Sequence, residues 1–103
     1  MYKLVFYVPL AQAEAVKTAV FATGAGKIGN YAECCWQVAG MGQFRPLDGA
    51  DPFIGRQGEI ERVEELRVEL VCADHLIASA VAALRKAHPY EEPAFDVWQL
   101  AEF

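Results

Sequence analysis

Three groups of side chains have the types and spacing for chemistry. His88, Glu91 and Glu92 share the run His88-Pro89-Tyr90-Glu91-Glu92-Pro93, and Cys34 and Cys35 are adjacent. Imidazole, carboxylate and thiolate are suitable ligands for a divalent metal such as copper or zinc, so these five residues form a candidate metal set. The competing reading is a helix-terminating turn in which His88 is held by hydrogen bonds and the glutamates are solvated. The absence of a C-x-x-C pair or an H-E-x-x-H helix favours that turn.

Lys27, Arg45 and Arg56 are the candidate anion-binding residues. Guanidinium groups hold phosphate or carboxylate in a fork geometry, and the glycines around Arg45 and Arg56 leave backbone amides accessible to a small-molecule or anion ligand. Equally, the segment carrying the two arginines is an arm that packs on a neighbouring subunit. Gly24-Ala25-Gly26-Lys27-Ile28-Gly29 matches G-x-G-x-x-G. A dinucleotide site needs that motif after a strand and before a helix, and here the order is reversed, so it reads as a helix cap followed by a tight turn. No catalytic set emerges, because a nucleophile needs a base in reach and an orienter behind it. Asp96 is an isolated acid, and His75, at the start of a helix, reads as structural or surface.

The elements that must position these groups follow from periodicity. Lys3 to Pro9 alternates as a strand with Leu4, Phe6 and Val8 on one face, and Pro9 closes it. Ala11 to Thr23 carries Ala13, Val16, Ala19 and Val20 at helical spacing, with Gly24 as the residue that stops it. Tyr31 to Ala39 reads as a second strand with Cys34, Trp36 and Val38 on one side. Residues 40–58 then hold five of the eight glycines and two of the five prolines, which marks a long irregular connection. Ile60 to Ala73 is a third strand, with a break expected near Glu64-Glu65. Asp74 is placed to N-cap a helix reaching Ala87, with Leu76, Ile77, Ala80, Val81 and Leu84 inward and Arg85 and Lys86 at its negative pole. Ala94 to Leu100 is the last strand.

The order β-α-β-β-α-β predicts an α+β ferredoxin-like sandwich, one domain spanning residues 1–103, with both helices on one face of an antiparallel sheet. The uncovered face, expected to include Val5, Tyr7, Cys35 and Trp98, would seek a partner, so a homo-oligomer is expected.

Bulk properties limit the function classes. With 103 residues, 54% of them hydrophobic and 22% charged, the chain can bury one core. Its net charge of −5 argues against general binding to nucleic acid or to an anionic membrane, since neutralising phosphates needs clustered Lys and Arg. Three cysteines, two of them adjacent, fit a reducing compartment better than a disulfide framework. With no secretory leader and no uncharged stretch near the ~20 residues of a membrane span, the expected location is cytoplasmic.

Taken in order, Gly24 through Tyr31, Cys34, Gly42-Gln43-Phe44-Arg45-Pro46, Gly49 through Pro52 to Gly55, and His88 through Asp96 resemble the insert domain of the Nif three-like family (NGG-interacting-factor-like, dinuclear metal centre proteins). That resemblance implies a stand-alone module like the PII and CutA group, which assembles as trimers, with a dimer as the alternative. CutA-like proteins carry a His-Pro-Tyr-Glu turn before their last strand and are associated with divalent-cation tolerance. Full Nif three-like proteins hold their two metals in flanking domains, so the dinuclear centre and any hydrolase activity do not carry over to this chain. What the resemblance implies is an oligomeric binding or regulatory module without catalysis of its own. The alternatives are a copper- or zinc-binding protein and an accessory subunit of a metal-dependent hydrolase.

Overall fold

The computed structural model describes all 103 residues. Strand β1 (Tyr2–Pro9) leads through a single 3-10 turn, Leu10–Gln12, into helix α1 (Ala13–Phe21). After a turn region come β2 (Trp36–Phe44), the connection, β3 (Glu61–Cys72), a second 3-10 turn at Asp74–Leu76, α2 (Ile77–Ala87) and β4 (Phe95–Gln99). The sheet order is β2-β3-β1-β4, and every neighbouring pair is antiparallel. β1 thus lies between β3 and β4, and β3 between β1 and β2, the interleaved arrangement expected of two β-α-β units.

Alternation along the strands builds the core. Leu4 pairs with Leu70 and Val97, and Phe6 with Val68 and Phe95, so one face of the sheet is continuously apolar. Ala13, Val16 and Val20 of α1 and Ala80 and Leu84 of α2 close over that face, giving one cluster of 12 buried residues. Both helices therefore lie on the same side. α1 ends where Thr23 Oγ1 donates to the Val20 carbonyl at 2.6 Å and Gly24 takes φ +98°. α2 ends at His88, whose backbone is extended because Pro89 follows it.

Several boundaries differ from those expected. β2 starts at Trp36 rather than Tyr31 because residues 24–35 fold on themselves. Ile28 and Tyr31 exchange backbone hydrogen bonds of 3.0 and 2.9 Å, and Cys34 N donates to the Gly26 carbonyl at 2.8 Å. β2 then continues through Gly40 and Gly42 to Phe44, so the irregular connection covers residues 45–60. β3 is unbroken at Glu64-Glu65, which pair with Met41 and Gly40. The helical regions each open with a 3-10 turn, and Asp74 makes no capping bond; its carboxylate instead meets the amino group of Met1.

The β2–β3 ribbon outruns its neighbours. β1 stops pairing at Pro9–Glu65, while β2 and β3 remain paired out to Phe44–Glu61. The overhang fits principal extents of 46 × 24 × 24 Å. On the face away from the helices, Trp36 is 61% and Trp98 45% exposed, Tyr7 is half-buried and Val5 is fully buried. Cys35 precedes β2 and is not part of that face. No helix is long and apolar enough to cross a membrane.

Candidate functional site

Where the ribbon leaves the sheet, the 45–60 connection folds back as a strap, and the turn after α2 comes up beneath it. Gly58 N donates to the Pro46 carbonyl at 2.8 Å, which ties the strap's two ends together. Asp51 N donates to Glu91 Oε1 at 3.1 Å, which ties its middle to the turn. Between them lies a cavity of about 280 Å³ walled by Tyr7, Phe44, Phe53 and Tyr90, with Glu65, Glu91 and Glu92 also in its lining. A broader depression of about 450 Å³ adjoins it on the outer sheet face, sharing Tyr7 and Glu65 and reaching Arg67.

The corner that holds the cavity is built on His88. Its Nε2 lies 2.7 Å from the Tyr7 carbonyl, and its Nδ1 accepts from Tyr90 N at 3.1 Å. A carbonyl can only accept and an amide N–H can only donate, so the ring is neutral with its proton on Nε2. Burial pushes the His88 imidazole below its ordinary 6.5, opposed by the Tyr7 carbonyl bond and the Glu65 charge. The neutral form wins because burial outweighs both, and the Tyr90 N–H already occupies Nδ1 as a donor.

Tyr90 projects from this corner into the cavity, with its ring 5.9 Å from Phe44 and 6.4 Å from Phe53, both tilted as aromatic pairs prefer. Its hydroxyl donates to Glu65 Oε2 at 3.0 Å. Burial, then that hydrogen bond and the carboxylate's charge, raise the phenol far above its ordinary value of 10.0. Gly42 makes room for the acceptor, since a Cβ there would sit 1.9 Å from Glu65 Oε1.

The structure brings together only part of the residues expected to act. Glu91 and Glu92 line the cavity, and His88 lies behind it with both ring nitrogens engaged. Cys34 and Cys35 precede Trp36, which pairs with Glu69, whereas the cavity lies at the Glu65 end of the sheet. Four residues of strand, about 13 Å, separate those two rows. All three cysteines are free, and no group of three His, Cys, Asp or Glu side chains is placed to hold a metal ion. Lys27 lies at the cysteine end, next to Gly26, whose N donates to the Val71 carbonyl at 2.8 Å. Arg45 and Arg56 are exposed on the strap and are absent from the cavity lining. Asp96 is exposed on β4, and His75 is exposed in the 3-10 turn before α2.

Sequence reasoning missed Tyr90 and Glu65 as partners. Tyr90 stood inside a segment already singled out, but the residue it bonds lies 25 positions earlier and is brought to it only by strand register.

No family model matches the chain. Its sequence does match proteins described as GTP cyclohydrolase 1 type 2 homolog. The one from Mycobacterium tuberculosis is 56% identical over 98 residues, which is 95% of this chain and 26% of that protein. The one from Bacillus subtilis is 44% identical over 100 residues, covering 97% of this chain and 27% of the relative. The chain is homologous to one segment of these proteins. It spans about a quarter of the length of the curated relatives it matches. A Bacillus cereus protein related to NIF3 superposes with a TM-score of 0.83 at 40% identity, over 98% of this chain and 26% of that one. The periplasmic divalent cation tolerance protein CutA from Archaeoglobus fulgidus has a TM-score of 0.70 at 15% identity, over 100% of this chain and 87% of its own. The second likeness shows the fold alone. The chain is therefore a small PII/CutA-like module, similar in sequence and structure to a segment of NIF3-related proteins.

Proposed function

We propose that this module binds a small ligand in the cavity beneath the strap and assembles with copies of itself through the outer sheet face, with no catalysis of its own. The cavity carries this reading. Its aromatic wall and few polar groups, partly closed by a strap on a rigid sheet, match the usual make-up of small-molecule sites. Trp36 and Trp98 support the assembly half, because two tryptophans standing in water on one face represent apolar area that a second copy would cover. A regulatory role follows from this design: ligand in the cavity orders the strap, and the strap lies beside the same outer face that a neighbouring copy would cover.

Native mass spectrometry of the protein isolated from its host tests both halves. The expected spectrum shows an oligomer carrying a small non-protein mass on each chain. Ala50→Trp, which fills the cavity from the strap, should keep the oligomer and lose that mass. A bare monomer would overturn the reading. Zinc or copper retained on the chain and lost in Cys34→Ser/Cys35→Ser would instead favour the metal-binding alternative.

A further inference from the structure

We infer that the ligand of this cavity is a small organic cation, with a guanidinium or alkylammonium head set among aromatic rings and carboxylates. This rests on the binding reading above and adds the chemical class. The lining holds Glu65, Glu91 and Glu92 and no lysine, arginine or histidine. A phosphate or nucleotide placed there would face carboxylates with no counter-charge, so the chemistry invoked by the relatives' name, which speaks of GTP, does not fit this cavity.

The acceptors are placed for a cation. Glu65 is half-buried, and one of its oxygens is bonded to the Tyr90 hydroxyl. Its other oxygen lies against Gly42 and receives no hydrogen bond from the protein. An ionised carboxylate has about four acceptor positions, so Glu65 keeps capacity for a donor at the border of the cavity and the outer depression, both of which it lines. Glu91 uses one oxygen for Asp51 N, which leaves the other, and Glu92 stands exposed in the same lining. Phe44, Phe53 and Tyr90 line the same cavity, and aromatic faces attract a cation held within about 6 Å.

Metal ions and organic cations are separated by the spacing of these groups. The acidic side chains do not gather as a metal shell, which needs ligands converging within about 2.0–2.6 Å of one point. A delocalised or alkyl-bound charge suits dispersed carboxylates and an apolar wall. The protein shows the same preference beside the cavity: the Arg67 guanidinium lies 5.9 Å over the Tyr7 ring and pairs with Glu69 at 3.2 Å. The volume of about 280 Å³ restricts the guest to a small molecule, at the lower edge of the ~300–1,000 Å³ usual for such sites.

Isothermal titration of the purified chain with agmatine, GTP, inorganic phosphate and zinc chloride, each alone, tests the class. Agmatine should bind once per chain and more weakly as salt rises. Glu65→Gln and Glu92→Gln, with circular dichroism spectra like the parent, should each weaken it at least tenfold. GTP, phosphate and zinc should give no saturable heat. GTP, phosphate or zinc binding that Ala50→Trp abolishes would overturn the cation class while leaving the binding reading intact. Agmatine affinity unchanged in Glu65→Gln would likewise remove the cation from this cavity. Silence from all four probes would overturn the inference, and with an empty cavity in protein from the host it would overturn the binding reading as well.

Discussion

At the scale of single residues, His88 and Tyr90 have tasks that differ from the ones their types suggest. His88 is an internal brace whose two nitrogens join β1 to the turn after α2. Its folded value lies below the ordinary 6.5, so the unfolded chain takes up a proton more readily. Stability from this group is therefore complete above about pH 6.5 and is lost as pH falls through the lower folded value. Thermal unfolding between pH 7.5 and 5 should show that loss in the parent and a flatter profile in His88→Gln. His88→Leu should cost about 1–3 kcal/mol at neutral pH, measured by urea unfolding, because the Tyr90 N–H then loses its acceptor. Tyr90 shifts the other way. Ultraviolet titration should find a phenol that ionises only well above pH 10, and Tyr90→Phe should remove it. Because the folded phenol is raised, its stabilising contribution is full below about pH 10 and is lost as pH climbs beyond it.

At the scale of elements, the strongly periodic segments were legible and the glycine-bearing ones were not. β1, both helices and β4 announce themselves because one face of each meets the core, and Leu84, Val16 and Phe6 stand where spacing puts them. β2 was displaced towards its N-terminus. Gly40 and Gly42 read as a loop, since glycine is depleted in strands, yet here the continuous partner β3 supplies the pairing. Gly42 also gives up its side-chain space to the Glu65 carboxylate. The cavity was half legible: the His88–Pro93 corner could be read in the chain, but its closure over Glu65 depends on register that no local pattern carries. Gly42→Val should push Glu65 away from Tyr90, and the raised Tyr90 phenol should then ionise at lower pH in the same ultraviolet titration. In the 24–35 turn, Gly26 has φ +83°, and a Cβ there would lie 2.6 Å from the Phe21 ring. Gly26→Ala should therefore destabilise by about 1–3 kcal/mol in urea unfolding, whereas Gly29→Ala has open space around it and should suffer from its φ alone.

At the scale of the whole molecule, the two faces of the sheet have different roles. One is sealed by α1 and α2; the other exposes Trp36, Val38 and Trp98 beside a paired but overhanging ribbon. Such a surface suits a chain that completes itself in an assembly. Trp36→Glu combined with Trp98→Glu should leave the circular dichroism spectrum intact while reducing the molar mass by light scattering to that of one chain. The strap and its cavity lie at the edge of this same face, with Tyr7 and Glu65 shared between cavity and outer depression. Assembly and ligand would therefore be felt by the same residues.

The most direct measurement is a crystal structure of the protein as it comes from its host. The expected density is a small non-protein molecule between Phe44, Phe53 and Tyr90, with its charged head at Glu65 and a neighbouring copy covering Trp36 and Trp98. A cavity filled by water alone, on a chain whose outer face is bare in solution and crystal, would contradict it.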